Sequence, residues 1–473
     1  MITVDFSKRG KTGLCDYLYE TIKSQIFSGI LVAGEKLPSK RALADHLGIS
    51  VITVQNAYSL LQVEGYITSI EKKGFFVNDI KNDTVQFSSE SVQFPTEVQP
   101  ASQWRADFSS SATSFEKFPF SLWSKTMRHV LSTRDKNLLQ KTDTKGIFEL
   151  RHAIAHHLRD FRNMSVSEEQ IIIGSGSESL YTTLIQLLGT EHCYAVENPG
   201  YKKISAVFEL NKAQWQAVDI DGEGMNPESL KKIGATVAHV SPSHHFPTGI
   251  VMSVRRRNEL LLWANQAENR YIIEDDYDSE FRFHGKPLPT LQSADKNGKV
   301  IYINTFTKTL APSFRISYMV LPKQLVRKFE VKFDNFSSPV SAFEQLTLAQ
   351  FISDGNFARH INRMKNYYRS LRNELIEAFS NNELSKIIHI QEEESGLHFL
   401  LSLHDKNLDI QKINNQLLKN KIRLPLLKDF YYSDIPPEKK NTFVVNYSGI
   451  QKGTVSDFIG IIFKCLQSVA EPI

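Results

Sequence analysis

Apolar positions at helical spacing open the chain. Leu18, Ile22, Ile26 and Ile30 predict a helix over Cys15 to Ile30, with Gly29 and Gly34 at its end. Ser39 is placed to cap a short helix that stops near Gly48, and Ser50 to cap a longer one through Leu61 to about Glu64-Gly65. Two helices joined by so tight a turn read as a helix-turn-helix. The period then changes. Tyr66 to Ile70 and Gly74 to Val77 alternate around Glu71-Lys72-Lys73, as a β-hairpin does. From 79 to 103 periodicity fades into Ser, Gln, Thr and two prolines, Pro95 and Pro100, which reads as a tether. A small protein-binding helical domain is the competing reading of 1–78.

From 104 to 473 strand-like and helix-like segments alternate, as in a mainly parallel sheet covered by helices on both faces. Buried-strand runs are Ile171-Ile172-Ile173, Tyr194 to Val196, Val237 to Val240, Tyr271 to Ile273 and Val300 to Ile303. Near 335 the pattern becomes that of a smaller subdomain, with strands around Gly396 to Leu403 and Thr442 to Tyr447 and a closing helix over Val455 to Ala470.

Composition narrows the picture modestly. The chain has 473 residues, 41% hydrophobic and 23% charged, which suits a multidomain globular protein. No apolar run is long enough for a membrane span, and Met1 to Asp5 lacks a signal-peptide pattern, so a cytoplasmic location is expected. Cys15, Cys193 and Cys465 are few, distant and odd in number, arguing against disulfides and zinc. A net charge of +4 is too small to name a nucleic-acid partner by itself.

Chemistry gathers where the strands end. Lys308 follows a strand and the hydroxyls of Thr305 and Thr307, and Arg315 follows it seven residues on. A lysine amine can condense with an aldehyde, while hydroxyls and a guanidinium hold a phosphate. By itself Lys308 also reads as a solvated loop lysine. Gly174-Ser175-Gly176-Ser177 lies at a strand-to-helix turn, where backbone amides can meet a phosphate; a plain tight turn is the alternative. Glu274, Asp275, Asp276, Asp278 and Glu280 crowd a strand end, either as a solvated loop, a cation site, or carboxylates facing a ligand. Tyr201 follows a Pro-Gly turn and suits stacking on a flat ring. His244-His245 has no acidic or cysteine partner at ligand spacing, so no metal is expected.

Two resemblances join these pieces. Leu37-Pro38-Ser39-Lys40-Arg41 through Leu61, Glu64-Gly65-Tyr66 and Lys73-Gly74-Phe75-Phe76-Val77 closely resemble the GntR-type winged helix-turn-helix. The resemblance implies a double-stranded DNA operator, a recognition helix from Ser50, and contacts by Ser39, Lys40, Arg41, Ser50, Thr53, Gln55, Lys73 and Gly74. Val51 stands where this family usually has arginine, and it could touch a thymine methyl. The second part resembles the fold type I aminotransferases that use pyridoxal 5'-phosphate. The whole chain thus resembles a MocR/GabR-type transcription regulator. The resemblance implies Lys308 as the cofactor lysine, Asp275 on the pyridine nitrogen, Tyr277 on the phenolic oxygen and Tyr201 against the ring. It also implies a phosphate grip by Ser175, Gly176, Ser177, Thr305, Thr307 and Arg315, with Gly146, Lys203, His245 and Arg423 on the effector side.

Sensors of γ-aminobutyrate in this family are expected to carry arginines near the positions of Lys203 and Asp429. Neither is arginine here, so the expected signal is the cofactor itself, governing vitamin B6 synthesis genes, with an amino-acid effector as the alternative. The expected assembly is a head-to-tail homodimer. An active aminotransferase with a DNA-binding appendage, and a scaffold with a dead aminotransferase fold, stay as competitors; at most residual transamination is expected.

Overall fold

The computed structural model describes residues 2–10, 12–80, 104–109, 117–133, 138–283, 285, 288–381, 386–392, 396–404 and 408–467. The chain separates into two compact units, Met1–Gln99 and Pro100–Ile473. The tether read over 79–103 lies almost wholly outside the described residues.

The first unit holds helices α1 (Leu14–Phe27), α2 (Lys40–Leu47) and α3 (Val51–Val63), then the antiparallel hairpin β1 (Ile67–Ile70) and β2 (Gly74–Val77). Both predicted caps form. Ser39 Oγ accepts from the amide of Ala42, and Ser50 Oγ from that of Thr53, each satisfying an amide the helix start leaves free. Gly48 ends α2 at φ 66°, a left-handed position glycine adopts without steric cost. Leu18, Ile22, Ile26, Leu43, Val54, Tyr58 and Leu61 form the core. The first helix stops earlier than its sequence pattern implied. It ends at Phe27, Ile30 is exposed, and Leu31 takes the inward place, because Gly29 turns the chain at φ 75° and breaks the helical register.

The second unit is built on a sheet of eight strands in the order β4-β11-β10-β9-β8-β5-β6-β7. These are β4 (Ile171–Gly174), β5 (Cys193–Asn198), β6 (Gln214–Asp221), β7 (Gly224–Met225), β8 (Val237–Val240), β9 (Tyr271–Asp275), β10 (Val300–Thr305) and β11 (Ser317–Val320); the remaining early strand, β3 (Ala106–Asp107), pairs elsewhere, with Ile422–Arg423. Strands β6, β5, β8, β9 and β10 pair in parallel, while β11 runs antiparallel between β10 and β4. Their all-apolar stretches follow from helices covering both faces. The carboxyl ends of β4, β5, β8, β9 and β10 therefore share one edge, where open α/β sheets bind ligands.

A second core closes over that edge. It joins Ala106, Phe108, Phe281 and Phe283 to the long helix Asn356–Ser380 and the small sheet of strands Ile388–Gln391, His398–Leu403 and Thr442–Asn446. The helix Ala342–Ser353, by contrast, packs with the large-sheet core through Leu348, Ala349 and Phe351. The closing helix ends at Gln467; residues 468–470 of the expected span lie outside the described residues. Among the described residues no helix is long and apolar enough to cross a membrane.

Leu61 is fully buried in the first unit, and its core shares no residue with the cores of the second. Leu61→Ala should destabilise that unit by about 2–5 kcal/mol. Thermal unfolding of the full chain should show one transition moved down and the other in place; two transitions falling together would sink the idea of separate cores.

Candidate functional site

At the shared strand edge lies a cavity of about 240 Å³. Each strand end supplies part of its wall. Helix α6 (Ser177–Leu188; α4, Phe120–Thr133, and α5, Phe148–Arg162, precede it) gives Ser177 and Glu178 after β4. Glu197 near the end of β5 and Tyr201 after it, Ser241 and His245 after β8, Asp275 at the end of β9 and Tyr277 after it, and Thr305 at the end of β10 with Thr307 and Lys308 after it all line the wall. Leu397, His398 and Asn446 of the small sheet close the far side.

The acidic run sorts itself by the two-residue period of extended chain. Asp275 and Tyr277 point to the cavity. Glu274 and Asp276 point away and are fully buried. Glu274 accepts from the amides of Leu291 (2.8 Å) and Gln292 (2.9 Å), while Asp276 pairs with Arg162 at 2.7 Å and accepts from Tyr302 Oη at 2.7 Å. Asp278 turns back to His244 Nδ1 at 2.9 Å. Glu274, Asp276 and Asp278 thus each have a protein partner. His244 of the histidine pair also gains the acidic neighbour that its sequence spacing lacked. His244, Asp278 and His398 bring possible ligand atoms within 4.8 Å of one another, joined by folding from distant parts of the chain.

Asp275 is held from behind. Tyr181 Oη donates to its Oδ2 at 2.9 Å, which leaves the tyrosine oxygen to accept from His239 Nε2, 2.8 Å away. Neither Tyr181 nor His239 was singled out from sequence. Tyr181 sits one turn into α6, at a position that reads simply as core. Burial lowers the Lys308 ammonium to about 8, partly opposed by Asp278, so the amine is available as a nucleophile near neutral pH. Burial pushes the Glu197 carboxyl up to about 8, and His245, 3.4 Å from it, is held to about 3.

Ser177, Thr305, Thr307 and Arg315, expected on the phosphate side, line the cavity together. Thr305 Oγ1 donates to Thr307 Oγ1 at 2.9 Å and accepts from Ser317 Oγ at 2.8 Å. Gly176, at φ 88°, lets Arg315 lie on the backbone; a Cβ there would come within 2.3 Å of the guanidinium nitrogen. Arg315 and Lys203 both bond the Glu178 carboxylate. Glu178 was also missed; a carboxylate at a helix start reads as an ordinary dipole partner.

Two expected effector-side residues lie elsewhere. Gly146 packs against Ile173 and Gln345, because at φ 98° it carries the loop before α5 tight onto β4. Arg423 belongs to the two-residue strand beside β3 and stacks near Trp104. Neither lines the cavity, nor do Ser175 and Gly176. Tyr201 does, edge-on to Phe246 at 5.8 Å.

In the first unit, Arg41, Gln55 and Lys73 are exposed, as groove and phosphate contacts require. Ser39, Ser50 and Thr53 are engaged in capping bonds, Lys40 lies over the Phe75 ring, and Gly74 begins β2. Exposed Val51 and Ile52 begin α3.

A winged helix-turn-helix and an α/β unit of aminotransferase type stand in one chain. Residues 14–77 match the model of the bacterial regulatory proteins of the gntR family, and 107–437 match aminotransferase class I and II. The chain is 39% identical over 396 residues to the HTH-type transcriptional regulator YdeL of Bacillus subtilis, covering 83% of this chain and 84% of that one. It is 30% identical to the probable rhizopine catabolism regulatory protein MocR of Rhizobium meliloti, across 95% and 94% of the two. It is 28% identical to the pyridoxine biosynthesis regulator PdxR of Corynebacterium glutamicum, across 84% and 85%. In fold, the crystal structure of a multiple substrate aminotransferase from Thermococcus profundus aligns with TM-score 0.67 at 24% identity, over 76% of this chain and 91% of that one. The chain belongs to the MocR-type transcription regulators, a GntR-type DNA-binding unit fused to an aminotransferase-like domain.

A carboxyl whose folded pKa is raised binds more protons folded than unfolded, so its contribution to stability falls as pH rises toward that pKa. For Glu197 this loss runs up to about 8, and above the ordinary histidine range His245 no longer offsets it. Glu197→Gln should raise the melting temperature relative to wild type more at pH 8 than at pH 6.5. Parallel melting curves across that window would refute the buried-acid assignment.

Proposed function

We propose that this regulator holds pyridoxal 5'-phosphate on Lys308 and reports the cofactor's availability to an operator bound by its winged helix. The observation that supports the reading is that Lys308 lines one cavity with both an acidic group, Asp275, and a basic one, Arg315. At one end Asp275, backed by Tyr181 and His239, suits a protonated ring nitrogen. At the other, Arg315, the hydroxyls of Thr305 and Thr307 and the start of α6 suit a phosphate. Tyr277 lines the same wall and suits the ring's phenolic oxygen, and Tyr201 suits its face. The cofactor would supply an aldehyde for the lysine and an electron-withdrawing ring; the chain's residues grip, orient and exclude water.

The amino-acid alternative has weaker support. Among the described residues lining the cavity, Arg315 is the single arginine, and it belongs to the expected phosphate side. A carboxylate effector would lack the bidentate clamp it needs. Sensing of the cofactor itself, with control of vitamin B6 synthesis genes, fits this better, and the PdxR relative's name points the same way. A cytoplasmic homodimer, arranged head to tail, suits a DNA-binding unit of little net charge, since the binding free energies of two half-sites add.

The expected outcome is a visible absorption band on adding pyridoxal 5'-phosphate, absent in Lys308→Ala, together with cofactor-dependent operator affinity in mobility-shift assays. Lys308→Ala should still bind DNA but lose the response. A wild-type protein that never develops the band would end this reading.

A further inference from the structure

The expected phosphate side of the cavity contains an anion of its own. Glu178 is at the second position of α6, where the helix start favours negative charge. One carboxylate oxygen bonds Arg315 and the other Lys203. The carboxylate also lies over Gly176: a Cβ built there would come within 2.9 Å of Glu178 Oε2 and 2.3 Å of Arg315 Nη2. Glu178 thus engages the helix start and the guanidinium, groups a phosphate would use, and also the Lys203 ammonium, expected on the effector side but here beside them. It is neither deeply buried nor free: its side chain is 28% exposed, against 47% for Arg315 and 48% for Lys203.

We propose that Glu178 is a built-in competitor for the cofactor's phosphate, and that it keeps cofactor affinity low enough for occupancy to follow the free concentration. The inference rests on the cofactor-sensing reading above. Its logic is charge balance. Arg315 and Lys203 bring two positive charges and Glu178 removes one. An incoming phosphate dianion then meets a single net positive charge and must displace, or lie beside, a carboxylate. Burial raises the Glu178 carboxyl, but its bonds to Lys203, its own backbone and Arg315 outweigh this and lower it to about 2, so the competitor is ionised throughout the working range.

The test is equilibrium titration of the full-length protein with pyridoxal 5'-phosphate and, separately, with pyridoxal, which has the aldehyde and ring but no phosphate. Glu178→Gln keeps the shape and removes the charge. It should bind pyridoxal 5'-phosphate on the order of tenfold more tightly, as expected for deleting one like charge beside a half-exposed phosphate. Pyridoxal affinity should stay unchanged. Glu178→Ala, which also removes the charge, should shift in the same direction and serves if the glutamine variant misfolds. Equal or weaker binding of pyridoxal 5'-phosphate by both variants would overturn the proposal, as would an equal gain for pyridoxal. If wild type binds neither compound while folded, the cofactor-sensing reading fails first and takes this inference with it.

Discussion

The site depends on one ion pair that never touches the cavity. Arg162, the last residue of α5, meets Asp276 at 2.7 Å with both side chains almost wholly out of solvent. The same guanidinium donates to Ser243 at 3.0 Å, and Asp276 accepts from Tyr302 on the next strand. Three segments, after β8, after β9 and within β10, are thereby tied at one point. Two desolvated charges gain little net stability from each other, but removing either leaves the other stranded, at about 3–5 kcal/mol. Such a pair acts by specifying geometry. With Asp276 drawn inward, extended chain leaves Asp275 and Tyr277 no direction but the cavity.

That constraint settles how so many acids share one strand end. Burial pushes Glu274 up to about 7 and Glu280 to about 8, each raised further by Asp276. Asp276 is paired by Arg162, and Asp278 takes His244. The sheet edge therefore tolerates a carboxylate at 275 because its neighbours are paired or shifted toward their neutral forms. Lys308 is affected in the same way: a dry surrounding disfavours its ammonium, with Asp278 as the partial counterweight.

Much of this was legible before any fold was known, and the reason is local. Caps at Ser39 and Ser50, the glycine at 48 and the strand-to-helix turn at 174–177 are decided within a few residues of chain. Lys308, Thr305, Thr307 and Arg315 share a cavity for the same local reason, since all lie within a short stretch at one strand end. What stayed hidden depends on partners far apart in sequence. Tyr181 backs Asp275 from 94 residues away, and Arg315 reaches Glu178 across 137. Gly146 was misplaced because a loop glycine serving tight packing against Ile173 looks, in sequence, like one serving a ligand. The early end of α1 was missed for a simpler reason: Ile30 continues the helical spacing, while Gly29 has already turned the chain.

Sensing sets different demands on such a cavity than turnover does. A ligand moves a two-state equilibrium only through differential affinity, and its occupancy reports concentration only when the dissociation constant lies near that concentration. An enzyme gains from saturating its cofactor; a reporter of that cofactor loses its signal by doing so. In the proposed reading, a covalent end at Lys308 would supply selectivity for an aldehyde, and the electrostatic end would offer the place to set affinity independently. A carboxylate shared between Arg315 and Lys203 suits that second task, since its charge would oppose a phosphate at that end without contact with the amine of Lys308.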